Sequence, residues 1–182
     1  MRIVGGRYRS RTLNAPKGTT TRPTLDQTRE ALFNILQGVV ADARFLDLYA
    51  GSGAVALEAI SRGAQNAVLC DSSRAACACI RGNIERLGCE AQARLLDMPD
   101  ERALRLLAQE GAQFDLIYLD PPYAMDLGPV LEQIVRSRLL APEGTIIAEH
   151  AADTGPLCPE GLKLARKKVY RDTALSFYEE DA

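Results

Sequence analysis

Asp120-Pro121-Pro122-Tyr123 follows directly on the largely apolar run 114–119. Each proline fixes its own φ near −65° and removes an amide donor. The residue before a proline is pushed toward extended geometry. An acid, two prolines and an aromatic at the end of a strand therefore build a rigid corner at the carboxyl edge of a sheet. Such a corner suits a flat group bearing an exocyclic NH2. The Asp120 carboxylate and the Pro121 carbonyl could accept its two hydrogens, and the Tyr123 ring could stack on its face. The plainer readings are a turn acid for Asp120 and core packing for Tyr123.

A second constellation precedes it, Asp47-Leu48-Tyr49-Ala50-Gly51-Ser52-Gly53-Ala54. Gly51 and Gly53 allow a tight turn and the close approach of a ligand at the start of a helix. Asp71, about 20 residues on, stands where an acid holds ribose hydroxyls in such folds; it could also be a solvated strand end. Asp97 could accept from an adenine amino group or cap the next helix. Glycines plus an acid also fit a dinucleotide-dependent oxidoreductase. Asp47 argues against that, because a carboxylate so close to a pyrophosphate would repel it. The same carboxylate suits a cationic ligand end, such as the amino group and sulfonium of S-adenosylmethionine.

The elements that must position these residues alternate. Strands are expected at Arg44–Leu48, Ala67–Cys70, Ala93–Leu96, Asp115–Leu119 and Thr145–Ala148, with helices at 54–62, 73–87, 100–110 and 127–139. This alternation implies a parallel sheet covered on both faces. Leu162–Tyr170 and Ala174–Tyr178 then add an antiparallel hairpin at one edge. Before the sheet, residues 2–13 read as a short hairpin or irregular arm, and 14–23 as a loop. Thr24, with Gln27 three residues on, has the spacing of a capping box for a helix over 24–38. The division expected is a basic arm, 1–23, and an α/β domain, 24–182.

The 182 residues are 47% apolar and 25% charged, as in a single globular domain. No apolar run reaches the ~20 residues that span a bilayer, and the start lacks a signal peptide's apolar segment. Five cysteines, none in a C-x-x-C pair, and one histidine argue for a reduced, cytoplasmic protein with no metal site. The formal net charge of −2 conceals an asymmetry. Residues 1–30 carry Arg2, Arg7, Arg9, Arg11, Lys17, Arg22 and Arg29 against Asp26 and Glu30. The rest of the chain is acidic, so a polyanion footprint is expected at one end.

Asp47-x-x-Ala50-Gly51-Ser52-Gly53, Asp71 and Asp120-Pro121-Pro122-Tyr123, in this order, resemble the class I methyltransferases of exocyclic base amines. The segment 21–36, Thr-Arg-Pro-Thr-Leu-Asp-Gln-Thr-Arg-Glu-Ala-Leu-Phe-Asn-Ile-Leu, is similar to one of the RsmD family, which methylates N2 of a guanine in 16S ribosomal RNA. The stretches 2–11 and 170–173 are similar to it too. The resemblance implies a Rossmann-like fold, S-adenosylmethionine as cofactor, and 16S rRNA as partner, within a small-subunit particle and without DNA or membrane. It places Asp47, Ala50, Gly51, Ser52 and Gly53 around the methionine part of the cofactor, Asp71 at its ribose, and Asp97 and Met98 at its adenine. Asp120, Pro121 and Tyr123 would hold the guanine, with Asp120 also bordering the cofactor. Arg7, Arg9, Arg11, Arg22 and Arg29 would meet RNA phosphates. Two positions depart from the family: Asp71, where Glu is usual, and Arg171, where many members have Gly. The rival activities are an adenine-N6 methyltransferase acting on DNA or another RNA, and a non-catalytic RNA-binding module that keeps the cofactor fold.

Overall fold

The structure, a computed structural model, describes residues 1–18, 23–122, 124–155 and 157–182, without the side chains of Pro23 and Thr24. Arg22 and Tyr123, and the side chain expected to cap the first helix, lie outside the described residues.

Seven strands form one sheet in the order β3-β2-β1-β4-β5-β7-β6. They are β1 (Arg44–Asp47), β2 (Asn66–Asp71), β3 (Ala93–Asp97), β4 (Phe114–Leu119), β5 (Leu140–Ala151), β6 (Leu162–Tyr170) and β7 (Thr173–Glu180). The first five run parallel, while β7 pairs antiparallel with both β5 and β6. This is the Rossmann-like arrangement expected, with the hairpin at the edge. The order reverses between β1 and β4, and the glycine turn after β1 and the proline corner after β4 both open there, at the carboxyl ends. Such a switch point leaves a crevice.

The helices are α1 (Pro23–Ile35), α2 (Ala54–Ser61), α3 (Arg74–Leu87), α4 (Asp100–Gln109) and α5 (Gly128–Arg136). The central strands β1 and β4 are almost wholly buried, because both sheet faces are covered. On one face Leu32 and Phe33 of α1, Leu57 and Ile60 of α2 and Ile80 of α3 share a core with Phe45, Tyr118 and Phe177. On the other, Leu104 and Leu107 of α4 and Leu131 and Ile134 of α5 pack on Leu46, Ile117 and Ile146.

Several boundaries differ from the sequence reading. Helix α1 ends at Ile35, short of residue 38, and Val40 turns back into the core. Helix α5 ends at Arg136, because Arg138 takes a left-handed φ of 52° and sends Leu139 into the core. Strand β5 starts five residues early, at Leu140, with a register shift against β4 between Phe114 and Leu116. The expected helix ran to residue 139, directly before Leu140, which hid the early start of the strand.

Among the described residues 1–18 of the amino-terminal arm, one bridge joins Arg2 and Thr12, and no helix or further strand forms. It is held by tertiary contacts. Ile3 and Leu13 are buried in the core on the α1–α2–α3 face. Glu58 of α2, wholly buried, accepts from the backbone N–H of Val4 at 2.9 Å and of Gly5 at 2.8 Å. The N–H of Arg7 donates to the Ser61 carbonyl at 2.8 Å. Among the described residues no helix is long and apolar enough to cross a membrane.

Candidate active site

Asp47 closes β1 and is 1% exposed. Its Oδ1 is buried and has no hydrogen-bond partner within the protein. Burial pushes the carboxyl up to about 7; the charge of Asp71 adds to this, and the backbone N–H groups of Ala56 and Tyr49 oppose it. A buried acceptor without a donor is costly. It marks a place for a cationic or N–H-bearing ligand.

The turn after β1 supplies the cradle. Gly51 and Gly53 have φ of 58° and 80°, which residues with a side chain rarely adopt. A Cβ on Gly51 would meet nothing within 4 Å and would point into open space. On Gly53 it would stand 3.0 Å from Leu69 Cδ2, so that glycine also lets the turn pack on β2 and α3. Ser52 is buried. The Asp71 carboxylate ties the turn down, accepting from Gly51 N–H at 2.9 Å and from Ser73 N–H at 2.8 Å. It retains free lone pairs for two further donors, such as a ribose diol.

Three cavities meet at Asp120. One, of about 260 Å³, is lined by Asp47, Ala50, Gly51 and Ser52, by Tyr118 and Glu149, and by Ala15 and Pro16 of the arm. A second, of about 450 Å³, lies over Gly51, Asp71, Met98, Asp100, Pro121 and Pro122. The third, of about 160 Å³, is lined by Pro121, Pro122, Leu127, Glu149, His150 and Tyr178. Asp120 borders all three. It is open to the crevice, yet protein surrounds it on most sides. Its carboxyl is driven well above the ordinary range, first by desolvation and then by the charges of Glu149 and Asp47.

Glu149, which the sequence reading passed over, belongs to this site. It ends the apolar stretch of β5, accepts a hydrogen bond from the Tyr118 hydroxyl, and lines two of the cavities. Burial raises its carboxyl, and the Tyr118 bond opposes that. Its signal in the sequence was an acid closing Ile146-Ile147-Ala148, the same pattern as Asp120. Asp100 was also missed. It lines the second cavity and accepts from the Tyr49 hydroxyl at 2.6 Å.

Two expected residues are placed differently. Asp97 is exposed, bonded to Arg81 at 2.9 Å, and is not part of the second cavity's lining. Nor does it cap α4, which starts after Pro99 without a side-chain cap. Its neighbour Met98 does line that cavity. Arg29 is 6% exposed, and its guanidinium is taken up by the Arg2 carbonyl at 2.5 Å, Asp26 at 3.3 Å and Glu58 at 3.5 Å. It anchors the arm beside the buried Glu58 instead of offering a cation to phosphate. Arg7, Arg9 and Arg11 are exposed.

The chain is similar over nearly its whole length to known proteins. The family model described as Conserved hypothetical protein 95 matches residues 1–179. Ribosomal RNA small subunit methyltransferase D of Escherichia coli strain K12 is 36% identical over 187 residues, covering 100% of this chain and 91% of its own. The putative rRNA methyltransferase YlbH of Bacillus subtilis strain 168 is 34% identical over 181 residues, 98% of each chain. Among solved structures, a putative methyltransferase of Escherichia coli, yhhF, superposes with a TM-score of 0.86 at 36% identity, covering 100% of this chain and 98% of that one. A hypothetical protein of Thermus thermophilus gives 0.83 at 33% identity, covering 97% and 98%.

Proposed function

We propose, from the premise that the chain belongs to the RsmD family described as Conserved hypothetical protein 95, that it moves a methyl group from S-adenosylmethionine to the exocyclic N2 of a guanine in small-subunit ribosomal RNA. The observation that carries this reading is the convergence of three cavities on Asp120, with an unpartnered buried carboxylate in the first. The similar proteins of Escherichia coli and Bacillus subtilis are named for rRNA methylation.

The residues present fit the cofactor. Asp47 Oδ1 would take its amino group, and the Gly51–Gly53 turn would admit its backbone-hugging methionine part. Asp71 would hold the ribose hydroxyls, and Met98 and Asp100 would flank the adenine. When bound, S-adenosylmethionine supplies a methyl group activated by the sulfonium, so no metal is required.

The rest falls to the chain. A guanine N2 lone pair is delocalised into its ring and is a weak nucleophile. The Asp120 carboxylate and the Pro121 carbonyl would accept its two hydrogens, favour a pyramidal nitrogen and aim its lone pair at the second cavity's edge. Orientation of this kind contributes roughly 7–11 kcal/mol in favourable cases. N2 must also shed one proton. Asp120, whose proton affinity burial and Glu149 both raise, is the acceptor at hand. Pro121 and Pro122 keep the corner rigid, and Tyr123 would stack on a base taken out of its helix or loop. The exposed Arg7, Arg9 and Arg11 would hold phosphates. The amino-terminal residues 1–23 act in this reading as the RNA-holding arm of the methyltransferase domain 24–182, and the substrate is rRNA within a small-subunit particle.

The test is methyl incorporation from labelled S-adenosylmethionine into 16S rRNA, small-subunit particles and plasmid DNA, with the modified nucleoside identified by mass. The unaltered protein should yield N2-methylguanosine in RNA. Asp120→Asn should lose about 100-fold or more in kcat while binding S-adenosylhomocysteine normally. Normal turnover by that variant, or N6-methyladenine as the product, would overturn the reading.

A further inference from the structure

The arm is not the chain's single basic surface. Residues 162–171, Leu-Lys-Leu-Ala-Arg-Lys-Lys-Val-Tyr-Arg, hold five cations and no acid. They form β6, the outer strand of the sheet, and the turn after it. A bare edge strand rich in lysine is a common guard against strand-to-strand aggregation. Three observations point beyond that role.

The first is place. Strand β6 runs parallel to β5, so its end reaches the same carboxyl edge as the proline corner. Lys167 lies opposite Ser176, whose hydroxyl is 2.7 Å from His150 Nε2, and His150 lines the third cavity. The Lys167 ammonium donates to the Thr154 carbonyl at 3.2 Å, and Thr154 borders that same cavity. Arg171 stands two residues before Thr173, another residue of that lining.

The second is backbone strain. Arg171 adopts a φ of 55°, where glycine would be relaxed. A long cation is kept at a position that disfavours any side chain, at the rim of the site. The third is exposure. Lys168 and Arg171 are open to solvent, and Val169 between them is 56% exposed. Asp153 and Asp172 stand close by, and Asp120, Asp126 and Glu149 line the cavity, so the positive charge is confined to the β6 edge itself.

We infer that Lys167, Lys168 and Arg171 form a second RNA-phosphate contact along the β6 edge beside the base-binding cavity, Lys167 on the cavity's face of the sheet and Lys168 on the opposite face. The RNA backbone is then gripped on two sides of the extruded nucleotide, by the arm and by this rim. The inference rests on the proposed RNA substrate, and it assigns the hairpin the job of holding the strand open beside the corner.

The salt dependence of binding tests it. Affinity for a 16S rRNA fragment is measured over a range of salt for the unaltered protein, for Lys167→Gln/Lys168→Gln/Arg171→Gln, and for the charge-keeping Lys167→Arg/Lys168→Arg. Each lost phosphate contact should shallow the logarithmic slope by roughly 0.7–0.9. The triple variant should therefore lose about 2 units of slope, while the charge-keeping variant retains it and both bind S-adenosylhomocysteine normally. If the triple variant fails to fold, the single variants carry the same reading at one contact each. An unchanged slope and affinity, with aggregation as the one altered property, would overturn the rim and leave β6 as an edge guard. Methyl incorporation is read in parallel. A slope loss without guanine methylation by the unaltered protein sinks the proposed reaction and not the rim; methylation with an unchanged slope does the reverse.

Discussion

The Asn83 amide nitrogen lies 2.9 Å from the Asn14 carbonyl of the arm and 2.9 Å from the Ser52 carbonyl of the glycine turn. Its oxygen accepts from the Asn14 N–H at 2.8 Å. One wholly buried carboxamide on α3 thus couples the arm to the glycine turn. Asn83→Asp keeps the shape but turns the donor toward two carbonyls into an acceptor. It should cost about 2–3 kcal/mol and weaken S-adenosylhomocysteine binding as the cradle loosens. Denaturant melts and titration calorimetry would check both; a loss of stability with unchanged affinity would deny the coupling.

Asp47 predicts a pH dependence. Its carboxyl, raised to about 7 in the fold, still holds a proton after the unfolded chain has lost its own near pH 4. Between those values the folded state binds more protons, so ligand-free stability falls as pH rises from about 4 to about 7 and then levels. A shift of this size corresponds to about 4 kcal/mol at most. Asp47→Asn should make that slope shallower. Asp120 and Glu149, whose carboxyls are also raised, supply the remainder. Affinity for S-adenosylmethionine, the proposed cationic cofactor, should run the opposite way, improving by up to about tenfold per pH unit until about 7, and the variant should lose that trend.

Glu58 holds the arm to the body. Its carboxylate meets the Val4 and Gly5 amides and lies 2.9 Å from Arg62 and 3.5 Å from Arg29. Removing it leaves the buried Arg29 with only the half-exposed Asp26 as countercharge. Glu58→Ala should cost about 3–5 kcal/mol, and trypsin should cut after Arg7, Arg9 and Arg11 well before the core. Resistance of those sites in the variant would show the arm to be held some other way.

Arg171→Gly should separate stability from binding. Glycine relieves a left-handed φ that costs a side chain about 1–2 kcal/mol, offset by its own entropy of roughly 0.5–1 kcal/mol. Thermal melts should move up slightly or stay level. RNA affinity should fall all the same, with one contact's worth of salt slope. A parallel gain in both would mean that the arginine makes no phosphate contact.

Much of the architecture could be read from local pattern. Strand–helix alternation, the two glycines and the proline corner act over a few residues, so their spacing alone placed the sheet, the cradle and the corner. The limits were set where one local pattern fits two structures. Residues 137–139 read as a last turn of α5, and the pairing of Leu140 with Phe114 starts the strand directly after them. Charge was the larger gap. Arg29 reads as a solvated cation at the chain's basic end, until Glu58, twenty-nine residues on, draws it into the interior. Asp97 reads like any acid at a strand end, and its place was decided by Arg81 across the surface of α3. Asp120 follows β4 and Glu149 lies on β5, strands whose adjacency arises from sheet order, and their carboxyls are raised because desolvation, and for Asp120 the charge of Glu149, act through space. The chain's own pattern specifies which backbone turns form. Which charges end up facing ligand, partner or one another depends on burial and neighbours, and those come with the packed fold.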